Sequence, residues 1–328
     1  MTKDKVLAIL KRSGSCVSGE EMSRALGVSR AAVNAAVMAL RSDGYEIGSG
    51  TNRGYELKNA PDRLNMGELM ALLPEERLKT VVCLDSVDST NDRLRAMAMD
   101  GAPDGQIVLA NCQTRGKGRL GREFRSPADK GVYMSLLLRP ESAPADMAPV
   151  TAWTAEAMCG AVERACGARP GIKWINDLVM DKKKICGILT EMSVESESGR
   201  VQFVIIGVGV NANETPEDFP PEIRNVAGSI MEAAGGPVSR AKLAAEMING
   251  FDALRAGWPG ARESVLAGYR RDCLTPGNEV VLISAGREER AFAEGVDDSF
   301  GLAVRLRNGE RRVINSGEVS VRGLCGYV

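Results

Sequence analysis

The sequence predicts an α+β, multidomain chain: an N-terminal winged helix-turn-helix, a central mixed α/β domain and a small C-terminal β-barrel. Three observations carry this. The first 58 residues combine helical periodicity with helix caps. The middle of the chain alternates apolar strand-like runs with helix-like segments. After Thr275-Pro276-Gly277, short strands follow one another at turn spacing. The expected boundaries are 1–60, 63–272 and 273–328, with Asn59-Ala60-Pro61-Asp62 as a linker.

In the first unit Val6, Ile9 and Leu10 recur at helical spacing. Ser18-Gly-Glu-Glu21 is a capping box, so a second helix starts at Gly19 and stops at Gly27. Ser29 caps a third helix with Val33, Val37 and Leu40 on one face and Gly44 ending it. The Leu26-Gly27-Val28-Ser29 join makes the pair a helix-turn-helix, and YEIGSGTNRGYEL reads as two short strands around a tip, a wing. Nine basic against six acidic side chains in this unit, in a chain of net charge −1, leave a modest nucleic-acid footprint. DNA binding is favoured over a winged helix used only for packing. Farther on, strands are expected at 80–84, 106–110, 133–138 and 201–210, and helices at 148–166 and 239–256. VVLIS, RAFAEGV, LAVRL and RRVIN supply the barrel strands.

Bulk composition narrows the chemistry. The 328 residues are 44% hydrophobic and 26% charged, an ordinary globular balance. Eight scattered cysteines without a C-x-x-C fit a reducing compartment and argue against a zinc cluster. No apolar run reaches the roughly 18 residues that a membrane span needs, so a cytoplasmic protein with no membrane partner is expected. There is no histidine, which removes Ser-His-Asp and Cys-His nucleophilic chemistry. Carboxylates, lysines, arginines and backbone dipoles must carry any reaction.

Four patches stand out in the middle. Asp88-Ser89-Thr90-Asn91 clusters short polar groups and doubles as a helix cap. QTRGKGRLGREFRSP, residues 113–127, sets five basic residues and three glycines against one acid. Its Gly116-x-Gly118-x-x-Gly121 matches a dinucleotide fingerprint, but REFRSPADKG has no apolar helical stripe, so no helix opens there to meet a pyrophosphate. A basic, Gly-rich loop that folds onto an anion is the better reading. Lys173-Trp174-Ile175-Asn176-Asp177 leads into a hairpin whose return strand starts at Lys184. Ile206-Gly207-Val208-Gly209-Val210-Asn211 is an apolar strand whose two glycines suggest close approach of a ligand or another backbone.

Taken in order, DSTN (88–91), QTRGKGRLGREFRSP, KWIND (173–177) with KICGIL (184–189), and GVGVN (207–211) resemble the motifs of the biotin–protein ligases. The three-part frame resembles the bifunctional members that also repress biotin synthesis. The resemblance implies a biotin/lipoate-ligase-like central fold and an SH3-like last domain. It implies an ATP-dependent reaction in which biotin becomes biotinyl-5′-AMP and is then passed to a lysine of a biotin carboxyl carrier protein. By the same resemblance Lys184 and Arg119 are the catalytic cations. Ser89, Thr90, Asn91, Gln113, Lys117, Gly118, Arg119, Lys184, Gly207 and Gly209 would hold biotin. Arg119, Arg122, Phe124, Lys173, Asn176, Asp177 and Asn211 would hold ATP, with Mg2+ held mainly by the phosphates. Ser29, Arg30, Asn34, Arg41 and the wing residue Arg53 would meet operator DNA, with biotinyl-5′-AMP as effector and a homodimer as the assembly.

Departures from the family pattern are local. Lys117 stands where arginine is usual, keeping charge but losing the bidentate fork. Phe124 replaces a tryptophan, keeping a stacking face without its N–H. Ile175 replaces a proline, implying a less rigid turn. Ala35-Ala36 stand where a recognition helix commonly carries polar or basic residues. Two alternatives stay open: a ligase whose winged helix no longer reads an operator, and a lipoate–protein ligase.

Overall fold

The computed structural model describes residues 2–50, 54–284, 287–315 and 318–321. Helices α1 (Thr2–Ser13), α2 (Gly19–Leu26) and α3 (Arg30–Ser42) precede the antiparallel pair β1 (Glu46–Gly50) and β2 (Gly54–Asn59). The caps act as expected: Ser18 and Ser29 side chains accept from Glu21 N and Ala32 N, and Gly27 ends α2 in the left-handed region. Val6, Leu10, Met22, Val33, Val37, Leu40 and Ile47 form a core of their own. The wing tip with Arg53 lies outside the described residues.

Next come α4 (Met66–Leu72), α5 (Glu75–Leu78), β3 (Val81–Leu84), α6 (Thr90–Met99), β4 (Ile107–Ala110), β5 (Val132–Leu138) and α7 (Val150–Cys166). They are followed by β6 (Gly171–Lys173), β7 (Asp177–Met180), β8 (Lys183–Val194), β9 (Val201–Val210), α8 (Ile230–Ala234), α9 (Arg240–Gly257) and α10 (Arg262–Asp272). The return strand thus starts at Lys183, one residue earlier than the sequence indicated. One seven-stranded sheet runs β3-β4-β5-β9-β8-β7-β6, with β3 and β4 parallel across the α6 connection and the other pairs antiparallel. Period-two alternation gives the sheet two unlike faces. Val204, Ile206, Val208 and Val210 join the large core with α7 and α9. Phe203 and Ile205 point the other way, onto Leu94 and Ala98 of α6.

The last unit is a five-stranded antiparallel sheet in the order β13-β12-β11-β10-β14. It comprises β10 (Glu279–Ser284), β11 (Arg287–Val296), β12 (Leu302–Leu306), β13 (Arg311–Ile314) and β14 (Glu318–Val321). The fifth strand was not legible in sequence. Val280, Leu282, Val304 and Val319 share one apolar cluster with the central domain. Trp174 Nε1 donates to Phe300 O at 2.9 Å and Trp174 N donates to Thr275 Oγ1 at 2.9 Å, tying the KWIND turn to this sheet.

The linker is pinned. Arg240, fully buried at the start of α9, donates to Asp62 Oδ2 (2.7 Å), Asp62 O (2.8 Å), Asn111 Oδ1 (2.5 Å) and Asp129 Oδ1 (3.3 Å). Lys11 of α1 meets the buried Glu68 of α4 at 2.5 Å, and Tyr45 donates to the same carboxylate at 2.9 Å. Losing a buried cation orphans several acceptors at once. Arg240→Leu is therefore expected to cost about 3 kcal/mol, at the low end for a buried pair because Asp62 keeps some solvent. Urea unfolding followed by fluorescence measures it; a change below about 1 kcal/mol would show that the linker is held elsewhere.

After β9, Glu214 is buried beside Tyr133, whose hydroxyl donates to Pro127 O at 3.0 Å and lies 3.3 Å from Glu214 Oε1. Burial pushes the Glu214 carboxyl up from 4.5 to about 7. Because the folded protein holds the carboxyl proton to higher pH than the unfolded chain, the group favours folding below about 4.5, and that advantage is lost as pH rises through 7. Glu214→Gln should remove up to about 3 kcal/mol of this pH dependence and raise stability at pH 8. Unfolding midpoints at pH 5 and 8 test this; equal slopes for both proteins would refute it.

Candidate active site

The site grows from the two unlike faces of the sheet. On the α6 side, cross-strand register aligns Leu137, Ile205 and Glu191 as one rung, Ser135, Gly207 and Leu189 as the next, and Tyr133, Gly209 and Gly187 as the third. Bulk falls away along β9, from Phe203 and Ile205 to Gly207 and Gly209. The sequence reading expected a ligand or a backbone to approach these glycines. Instead, a Cβ at Gly207 would collide with the Asn91 side chain, and one at Gly209 would collide with the Phe124 ring. The bare strand end is therefore built for two side chains of other elements, one from the start of α6 and one from the basic loop.

Those side chains frame a small recess. All ten side chains and glycines expected to hold biotin line it, with Gly187, Ile188 and Leu189 as apolar walls. Ser89, Thr90 and Asn91 are buried. Gln113 Oε1 accepts from Thr90 N (2.8 Å) and Thr90 Oγ1 (3.0 Å), and its Nε2 donates to Ser126 Oγ at 2.9 Å. An uncharged base of hydroxyls and amides suits a ligand that offers both donors and acceptors.

The recess opens into a wider cleft, and the two share Gly118, Arg119, Phe124, Asn176 and Lys184. The seven residues expected to hold ATP line this cleft. The basic loop closes on itself: Gly118 N donates to Arg122 O at 2.7 Å and Phe124 N to Gly116 O at 2.9 Å, around a single 3-10 turn at Arg119–Gly121. No helix follows the glycines, so the dinucleotide reading is excluded by structure as well. Phe124 packs edge-on to Tyr133.

The cations are held by internal partners. Arg119 Nη1 donates to Asn176 Oδ1 at 2.7 Å, Lys184 meets Asp177 at 2.7 Å, Lys117 meets Asp92 at 2.6 Å and Arg115 meets Asp88 at 3.2 Å. The Ser89 N–H, then Arg115, holds the Asp88 carboxyl below its usual range. Backbone on both sides fixes Lys184: its N–H donates to Val226 O and its carbonyl accepts from Gly228 N. Asn211 Nδ2 donates to Gly228 O at 2.9 Å, turning its amide toward the same segment.

Sequence reasoning missed a wall of this cleft. Phe219, Ile223, Val226 and Ala227 supply an apolar surface from the irregular stretch between β9 and α8. Nothing periodic marks that stretch. Ser126, Ser135 and Glu191 were also missed; pairing the odd positions of β9 with its neighbours would have found the last two.

On the winged helix, Arg30, Asn34, Ala35 and Met38 are exposed along α3, whereas Ala36 is buried. A polar side chain at 36 would face the core, so only Ala35 thins the outer face. Arg41 differs from expectation. Its guanidinium donates to Ile47 O (2.6 and 3.0 Å) and Ser49 Oγ (3.3 Å), bracing the wing. Ser29 serves as the α3 cap.

Residues 83–211 match the profile of the biotin/lipoate A/B protein ligase family, and residues 2–56 match that of an HTH domain. The chain is 36% identical over 253 residues to the bifunctional ligase/repressor BirA of Bacillus subtilis, covering 77% of each chain. It is 28% identical over 323 residues to the protein of the same name from Escherichia coli, covering 97% of this chain and 96% of that one. The biotin protein ligase of Aquifex aeolicus, solved in complex with biotin and ATP, superposes with a TM-score of 0.62 at 26% identity, over 74% of this chain and 99% of that one. With the recess, the cleft and the winged helix in one frame, the chain belongs to the biotin/lipoate A/B protein ligase family.

Proposed function

We propose that this protein is a biotin–protein ligase that also acts as a repressor of biotin synthesis. One observation carries the ligase reading. A recess with an uncharged polar base and a cation-lined cleft meet at Lys184 and Arg119. A neutral ureido ring would occupy the first, ATP the second, and the two anionic ends would meet at the shared cations.

In the first step a biotin carboxylate oxygen attacks the α-phosphorus of ATP, and pyrophosphate leaves with the electrons of the broken P–O bond. Lys184, Arg119 and Lys117 would neutralise two anions brought together, exchanging their present partners Asp177, Asn176 and Asp92 for substrate oxygens. Arg122, Lys173, Asn176, Asp177 and Asn211 would line the nucleotide side, with adenine between Phe124 and the Phe219–Ala227 wall. In the second step a neutral carrier-protein lysine amine attacks the acyl carbon; the C–O bond to phosphate breaks, AMP leaves with its electron pair and the new amide nitrogen gives up one proton to solvent. Mg2+ would arrive mainly on the ATP phosphates; among the described residues no group of three His, Cys, Asp or Glu side chains is placed to hold a metal. The biotin carboxyl carrier protein, a homodimer, a cytoplasmic location and the division at 1–60, 63–272 and 273–328 belong to the same proposal. Among the described residues no helix is long and apolar enough to cross a membrane.

ATP–pyrophosphate exchange should appear with biotin and not with lipoate. Lys184→Ala should slow it by about 10²-fold or more while the fold stays intact, as loss of a central electrostatic group does. Near-normal exchange in that variant would remove Lys184 from its role, and lipoate-dependent exchange would reassign the substrate. For repression, Arg30 and Asn34 are exposed polar groups in the first half of α3. Replacing both with alanine should weaken operator binding by about 1–3 kcal/mol, measured by a salt-resolved titration. An unchanged affinity would place recognition elsewhere or leave a ligase with a silent winged helix.

A further inference from the structure

The base of the recess continues below the residues that touch it. Asn91 Nδ2 donates to Glu191 Oε2 at 2.7 Å, and the other carboxylate oxygen meets Arg95 of α6 at 2.7 Å. On the opposite side of the amide, the buried Ser135 hydroxyl lies 2.6 Å from Asn91 Oδ1 and 2.8 Å from Thr90 Oγ1. Thr90 reaches Gln113, Gln113 reaches Ser126, and Ser126 Oγ donates to Phe124 O at 3.0 Å. A hydrogen-bonded chain thus runs from α6, under the recess, to the aromatic residue shared by recess and cleft.

Glu191 is the one charged side chain among the odd positions 133–137 of β5, 203–209 of β9 and 187–193 of β8, the block of sheet beneath α6. We propose that it is a positioning residue for the acid substrate, a role that rests on the ligase reading above. A carboxylate can only accept, so it dictates that Nδ2 of Asn91 faces it and that Oδ1 faces Ser135. A flipped amide would set Oδ1 against a negative oxygen and an N–H against the serine. The fixed amide in turn determines which donors Asn91, Thr90 and Gln113 turn toward the ureido ring. A bare Arg95–Glu191 surface pair would instead contribute little to stability and would not touch substrate selection.

The test is biotin-dependent ATP–pyrophosphate exchange with the full chain, measuring KM for biotin and for ATP separately. Glu191→Ala and the smaller change Ser135→Ala should each raise the biotin KM about tenfold or more, as an orphaned buried amide does. The ATP KM should stay within about twofold of wild type. Glu191→Gln still presents an accepting oxygen and should recover most of the loss. Three results would overturn the assignment: an unmoved biotin KM in Glu191→Ala, both KM values rising together, or glutamine as poor as alanine. Absence of biotin-dependent exchange in the unsubstituted protein would instead remove the ligase reading itself, and this inference with it.

Discussion

The site depends on a short length of β9 that carries no side chains on one face. A sheet packed on both sides ordinarily has no room for a ligand, because every rung is filled. Here the α6 face is filled at Phe203 and Ile205 and empty at Gly207 and Gly209. The vacancy admits Asn91 from one direction and Phe124 from the other. Neither could reach its position over a strand with ordinary side chains. The polar base, the aromatic divider and the placing of the basic loop all follow from that omission.

Charge balance is the second constraint. The loop and hairpin bring cations to a confined space in a chain without histidine, and Arg115, Lys117, Arg119 and Lys184 are each set against an acceptor. Most of these pairs are partly exposed, so each contributes little to stability. Weak pairing is useful in an anion site. A phosphate oxygen can replace a neighbouring carboxylate or amide without breaking the fold. Lys184 combines that freedom at its tip with a backbone locked on both sides, so its charge is available at a defined place.

The three units are joined by buried polar groups rather than by loose connectors. Arg240 gathers the linker, Asn111 just past β4 and Asp129 just past the basic loop. Trp174 gathers the nucleotide side and the C-terminal sheet. The Lys11–Glu68 contact seats the winged helix on α4. Trp174 itself lies in the lining of the cleft.

Much of this protein was written locally. Caps at Ser18 and Ser29, the left-handed Gly27 and the apolar stripes specify the first unit, because capping and periodicity are short-range effects. The motif residues were legible for the same reason, since each patch is contiguous in sequence. Tertiary structure alone decided what the glycines face, because a strand's neighbours come from distant segments. It paired Glu191 with Asn91 a hundred positions away, assigned Arg41 to the wing and brought Phe219 and Ile223 over the cleft. Those outcomes turn on sheet register and on which loop crosses which face, and neither is encoded within any one stretch of the chain.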